Sequence, residues 1–166
     1  MRERTFGFAI ALAIFVADQL AKWVVAGPLD LQMIGQITIL PFFNLTWTEN
    51  YGISLGLFNA QTEVGRWMLV AVTSAIAIGV AIWIGREKAL WDKAALGMIL
   101  GGALGNILDR VRHGYVVDFA DLHFGDFRPF LVFNVGDAAI SIGVVILLVR
   151  AFLTRGESPE ESVENA

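Results

Sequence analysis

Residues Gly101 to Asp137 read GGALGNILDRVRHGYVVDFADLHFGDFRPFLVFNVGD, and the reading of this stretch decides the fold. An apolar helix runs into Gly105, Asn106, Asp109 and Arg110. A short polar segment carrying Asp118 follows, and a second apolar helix then opens with Asn134 and Asp137 already inside it. Charged side chains within apolar helices are costly in a bilayer and mark functional positions there. Asp118 and Asp137 are therefore the two carboxylates expected to carry chemistry. The rest of the chain reads as the frame that brings them together.

Upstream, Thr5 to Ala21 contains no Lys or Arg and is apolar up to Asp18 and Gln19. It predicts a first membrane helix with Asp18 near its far end, closed by Gly27-Pro28. Arg2 and Arg4 ahead of the apolar run, with a Val-x-Ala triplet at Val24 to Ala26, also fit a signal peptide. Asp18, Gln19 and Lys22 sit badly in a cleaved apolar segment, which favours the membrane helix. Met33 to Leu40 and Phe43 to Trp47 are rich in β-branched and aromatic residues and read as short strands. Thr48 to Gly52 reads as a turn. Residues 29–65 thus predict a small extramembrane β cradle. Phe42, Phe43, Trp47, Leu57 and Phe58 would rest it in the interfacial layer, where aromatics are favoured.

Trp67 to Gly85 gives 19 residues without a charge, bounded by Arg66 and Arg86. At about 1.5 Å per residue this spans the hydrocarbon layer. Arg86 to Lys93 is a charged loop, and Ala94 to Leu108 a third helix. Gly97, Gly101 and Gly105 recur every four residues in it, the spacing that lets helix backbones approach closely in lipid. Phe130 to Arg150 predicts the fourth helix. The expected fold class is an α-helical integral membrane protein of four transmembrane helices with a small extramembrane β cradle. Residues 1–155 form one membrane-embedded domain, and 156–166 an acidic, disordered tail.

Composition supports this. Of the 166 residues 56% are hydrophobic and only 17% charged, too apolar for an ordinary soluble domain of this size. The absence of cysteine excludes disulfides, thiolate nucleophiles and cysteine-held metals. Lys and Arg form no basic face, so no nucleic-acid partner is expected. Arg2, Arg4, Arg86, Lys88, Lys93, Arg150 and Arg155 outnumber Lys22, Arg66, Arg110, Arg112 and Arg128 on the opposite side, and they crowd a short loop. By the positive-inside rule both termini are cytoplasmic. Asp18, the cradle, Asp109, Asp118 and the start of the fourth helix then share the outer surface.

Two carboxylates held close together cannot both ionise easily, so one keeps a proton and the pair offers an acid and a base. Such a pair activates water and protonates a leaving amine with no metal or cofactor. Asn134 and Asp137, three residues apart, share one helix face. Asn106, Asp109 and Arg110 read either as a local ion pair at a helix end or as a scaffold orienting the carboxylates. Gly105 leaves room for another chain to approach. On residue chemistry alone Asp18 and Lys22 read as a structural pair, and Asn50 and Gly52 as a turn. His113 and His123 with Asp121 or Asp126 match no metal-ligand spacing, and no G-x-S-x-G is present. The competing class is a small carboxylate-based proton or cation transporter or channel. The polar residues cluster at one face instead of crossing the membrane, which argues against it.

At these residues the chain resembles the signal peptidase II family, the bacterial lipoprotein signal peptidases. The matching pieces are Asp18-Gln19-x-x-Lys22, Asn50-x-Gly52, Gly101-Gly102-x-x-Gly105-Asn106-x-x-Asp109-Arg110, Val116-Val117-Asp118-Phe119 and Phe133-Asn134-x-x-Asp137. The resemblance spans about Phe15 to Ile146. It implies an intramembrane aspartyl endopeptidase of the inner membrane, cutting prolipoproteins before a cysteine that carries diacylglyceryl. It makes Asp118 and Asp137 the catalytic pair, with Asn106, Asp109, Arg110 and Asn134 as supports, and it places Asp18, Lys22 and Asn50 near the site. Membrane lipids and the inhibitor globomycin are the further partners it implies. Glu49 stands where the family commonly has a basic residue, and Gly136 where it commonly has Ala.

Overall fold

The structure is a computed structural model and describes residues 2–52 and 62–154. Four long helices dominate: α1 (Arg2–Ala26), α3 (Glu63–Arg86), α4 (Leu90–His113) and α5 (Val135–Thr154). Each is long and apolar enough to cross a membrane. A short helix α2 (Leu31–Ile34) and strands β1 (Gln36–Leu40) and β2 (Phe43–Asn50) lie in the α1–α3 connection, and β3 (Val116–Leu122) lies between α4 and α5.

Helix ends follow local chemistry. Thr62 caps α3 by accepting the Gly65 N–H at 3.1 Å. Glu63 in its first turn and Arg86 in its last complement the helix dipole. The chain leaves α4 at Gly114, whose φ of 87° is left-handed and favours glycine.

Helix α4 is the axis of the bundle. Half of its span is buried, against 11% for α3. Its glycines make this possible. A Cβ at Gly97 or Gly101 would run into the α1 carbonyls of Gly7 and Ala11, and one at Gly102 into the Gly136 carbonyl of α5. The predicted close approach is thus present on two sides of α4. Ala11, Ala77, Ile84, Leu96 and Leu100 form the apolar core between α1, α3 and α4. The outward faces carry exposed Leu12, Val72, Ile78 and Leu148, a surface suited to lipid rather than water. Gly101→Val, which forces α1 and α4 apart, is expected to destabilise the fold by about 2 kcal/mol. Thermal unfolding of the purified protein in detergent checks this.

The sheet has the order β1-β2-β3 and is antiparallel throughout. Phe43 pairs with Leu122, Leu45 with Ala120 and Thr48 with Asp118. Three steps along β2 against two along β3 leave one extra residue in β2, a bulge placed just before the Asp118 pair. Val25, Leu31, Val117, Phe119 and Ala120 pack a second core that seats the sheet on the end of α1.

Several boundaries differ from expectation. The cradle is not confined to residues 29–65: its third strand comes from Val116–Leu122, and residues 63–65 already belong to α3. Met33 and Ile34 lie in α2, so the first strand starts at Gln36. Strand β2 runs on through Thr48 to Asn50, and the backbone turns only at Gly52, with φ 99°. The fourth helix starts at Val135, not Phe130, so Asn134 precedes it. Phe133 is instead bridged to Ala120 beside β3. Leu57, Phe58 and the acidic tail at 156–166 lie outside the described residues.

Candidate active site

The C-terminal ends of α1 and α4 and the N-terminal end of α5 meet the sheet, and the polar residues proposed for the site fall in this junction. The centre is Asn134, fully buried just before α5. Its side-chain oxygen accepts the Asp137 N–H at 2.9 Å, and the Asp137 carboxylate accepts the Asn134 N–H at 3.2 Å. This reciprocal pair is a capping box, built on Asn and Asp, that starts the helix. The same asparagine donates from Nδ2 to Asp118 Oδ1 at 2.6 Å and to Asn106 Oδ1 at 3.2 Å.

Asp118 projects from β3 and is 1% exposed. Its second oxygen accepts Asn50 Nδ2 at 2.9 Å. Asn50 is oriented in turn, because its own oxygen accepts the Gly52 N–H at 2.9 Å. Positive φ at Gly52 makes that short loop possible. Burial, and next the charge of Asp137, push the Asp118 carboxyl up to about 6. Asp137 is half-buried on the first turn of α5, where the helix dipole favours negative charge. It accepts Asn106 Nδ2 at 2.8 Å. The two carboxylates thus reach one locus from a strand and a helix.

Below them lies a second polar layer. Lys22 Nζ stands 2.8 Å from Asp18 Oδ2, 2.8 Å from Asp109 Oδ2 and 3.1 Å from Asn106 Oδ1. Asp18 Oδ1 accepts the Gly136 N–H at 2.9 Å, and Asp109 Oδ2 accepts the Val117 N–H at 3.1 Å. Gln19 Nε2 donates to Asp109 Oδ1 at 3.1 Å. Gly105 admits the Asp18 carboxylate, since a Cβ there would collide with it. Arg110 donates to the Asn106 carbonyl at 3.5 Å, and its buried Nε has no hydrogen-bond partner. A cavity of about 350 Å³ lined by Phe130, Phe133, Ala138, Ser141 and Ile142 opens against Asp137.

All the residues singled out from the sequence converge here. Asp18 and Lys22 are more than a local pair, because Lys22 reaches partners on α4 and Asp18 one on α5. Asn50 and Gly52 are more than a turn, because they hold Asp118. Sequence reasoning missed the backbone amides of Val117 and Gly136, which no side-chain pattern announces. Gly136 packs closely on α4: a Cβ there would stand 3.0 Å from the Gly102 carbonyl, a tight contact that a shift of a few tenths of an ångström would relieve. Glu49 has local partners, accepting the Tyr51 hydroxyl at 2.7 Å and Trp47 Nε1 at 3.5 Å.

Known proteins resemble the whole of this arrangement. A solved structure described as a bacterial membrane enzyme superposes with a TM-score of 0.77 at 26% identity, covering 93% of each chain. A lipoprotein signal peptidase of Sphingopyxis alaskensis is 60% identical over 148 residues, 89% of this chain and 86% of that one. One from Rhizorhabdus wittichii is 53% identical over 163 residues, 98% of this chain and 94% of that one. The family described as Signal peptidase (SPase) II matches residues 10–153. Four membrane-crossing helices, the cradle and this match over most of the chain lead to one conclusion: the chain belongs to the signal peptidase II family of membrane proteases.

Proposed function

We propose that the protein removes signal peptides from prolipoproteins, hydrolysing the peptide bond before a diacylglyceryl-modified cysteine with the Asp118–Asp137 pair. The observation that carries this reading is Asn134, which hydrogen-bonds both aspartates at once. Such pre-organisation suits two carboxyls that must share one proton.

Asp137 takes a proton from a water that attacks the scissile carbonyl carbon. Asp118, protonated, gives its proton to the carbonyl oxygen as the tetrahedral intermediate forms. On collapse the proton on Asp137 passes to the leaving amine as the C–N bond breaks, and Asp118 recovers its proton from the intermediate's hydroxyl. Asn50, Asn106 and Asn134 fix both carboxyls. The unpartnered Nε of Arg110 suits a substrate carbonyl. The apolar cavity beside Asp137 suits apolar substrate arriving sideways from lipid. The cytoplasmic membrane of a bacterium, with both termini inside and the site near the outer face, is the setting that fits. Globomycin, as a peptide inhibitor of the family, would compete at the same place.

The test is cleavage of a diacylglyceryl-modified prolipoprotein by purified protein, with a chelator present throughout. Cleavage is expected, and none of an unmodified precursor. No cleavage by a folded protein overturns the reading. The pH profile gives a second readout. Asp118 must hold its proton, so kcat/KM is expected to fall about tenfold per unit as pH rises past about 6. A profile flat to pH 8 contradicts Asp118 as the acid.

A further inference from the structure

We infer that Lys22 is a positioning residue that sets the separation of the two reacting carboxyls, acting on both through a buried ion triad. The inference rests on the dyad reading above and extends it.

The triad is Asp18, Lys22 and Asp109, exposed by 0, 5 and 2% respectively. Its two carboxylates have matching second duties. Asp18 accepts the N–H of Gly136, the residue immediately before Asp137. Asp109 accepts the N–H of Val117, the residue immediately before Asp118. One carboxylate therefore holds the backbone of α5 and the other that of β3, each one residue ahead of a reacting aspartate. Lys22 binds both carboxylates at 2.8 Å and so fixes the distance between the two backbones.

The third ammonium contact extends the control to a side chain. Asn106 Oδ1 faces Lys22, which turns Nδ2 of the same amide toward Asp137. Three acceptors satisfy the three N–H donors of the ammonium. A helix-local ion pair explains only one of these contacts, Asp18 with Lys22 four residues on. Two carboxylates buried with a single cation make a poor device for stability alone, because desolvation offsets the attraction. As a spacer the triad has a clear purpose: without the cation the carboxylates repel, and Gly136 and Val117 move apart with them.

Lys22 also lines a cavity of about 400 Å³ with Gln19, Trp23, Arg112, His113 and Tyr115. A small amine entering there reaches the position of the missing ammonium when the lysine is shortened.

The experiment is steady-state cleavage by the purified full chain carrying Lys22→Met, with Asp118→Asn and Asp137→Asn measured in parallel. A displacement of about 1 Å in the reacting groups predicts a loss of about 100-fold in kcat, with KM within about threefold. Lys22→Ala is expected to regain about tenfold with ethylammonium, which offers three N–H donors, and nothing with tetramethylammonium, which offers none. A kcat for Lys22→Met near wild type, a loss confined to KM, or equal effects of the two amines overturns the inference. If Lys22→Met does not fold, Asp109→Asn decides. It keeps the size of the side chain and is expected to lower kcat by about tenfold at unchanged KM; an unchanged kcat overturns the inference. Cleavage surviving in Asp118→Asn or Asp137→Asn instead removes the dyad reading itself, so the two failures are distinguishable.

Discussion

Asp118→Asn and Asp137→Asn are each expected to lower cleavage of the lipidated precursor by about 10,000-fold, the upper range for loss of a positioned acid or base. Asn keeps the volume and one oxygen, so the network around each position survives in part. The substitutions differ in their effect on stability. Folding raises the Asp118 pKa to about 6, so the folded chain holds this proton more tightly than the unfolded chain does. The stability this gives is present at low pH and is lost as pH rises through about 4 to 6. At pH 7 the wild type carries the cost of an ionised, buried Asp118, and Asp118→Asn removes it. The variant is expected to melt no lower than wild type at pH 7 and to lose that advantage at pH 4. Melting curves at the two pH values, beside cleavage rates, check both halves. An Asp118→Asn enzyme that cuts at a near-normal rate would sink the acid–base assignment.

Asn134→Ala is the second large effect. The asparagine caps α5, and its removal costs about 1–2 kcal/mol on that account. It also leaves Asp118 Oδ1 and Asn106 Oδ1 each without the amide they share, which frees the carboxyl to rotate. A fall of about 1,000-fold in kcat is expected, in the range seen when one preorganised donor at a reacting centre is lost. Asn134→Ser separates the two roles. Serine is a good cap, so the melting temperature should return toward wild type. It has no amide to offer Asp118, so kcat should stay low. If Ser restored both together, Asn134 would act through the helix alone.

The four helices and the two candidate carboxylates were legible in the sequence, because long uncharged runs and rare intramembrane charges are strong local signals. The third strand was not. Val116 to Asp121 are buried on both faces, so the alternation that announces a strand is missing, and Asp118 and Asp121 made the segment look like a loop. Asp121 is in fact buried and paired, with Arg128 Nε at 3.1 Å and the Thr46 hydroxyl at 3.1 Å. The start of α5 was misplaced because Phe130 to Phe133 is largely apolar, and periodicity alone does not separate a helix from a segment laid along a sheet. The cap at Asn134 is the local signal that marks the true start. Asp18 and Lys22 have the spacing of any i,i+4 pair. Their wider role depends on Gly136, 118 residues from Asp18, and such a partner is set by tertiary structure alone.

The capping box at the head of α5 has a consequence for where a substrate is cut. Asp137 stands two residues into the helix, about 3 Å along its axis, and is bonded to the residue that defines the helix end. If this aspartate does the chemistry, the reaction is tied to a level in the bilayer: the level at which α5 enters it. A precursor anchored by its own apolar segment and its acyl chains is held at a level too. The bond that is cut would then be chosen by depth as well as by sequence. Lengthening the precursor's apolar segment by a few residues would carry a perfect recognition sequence past the blade.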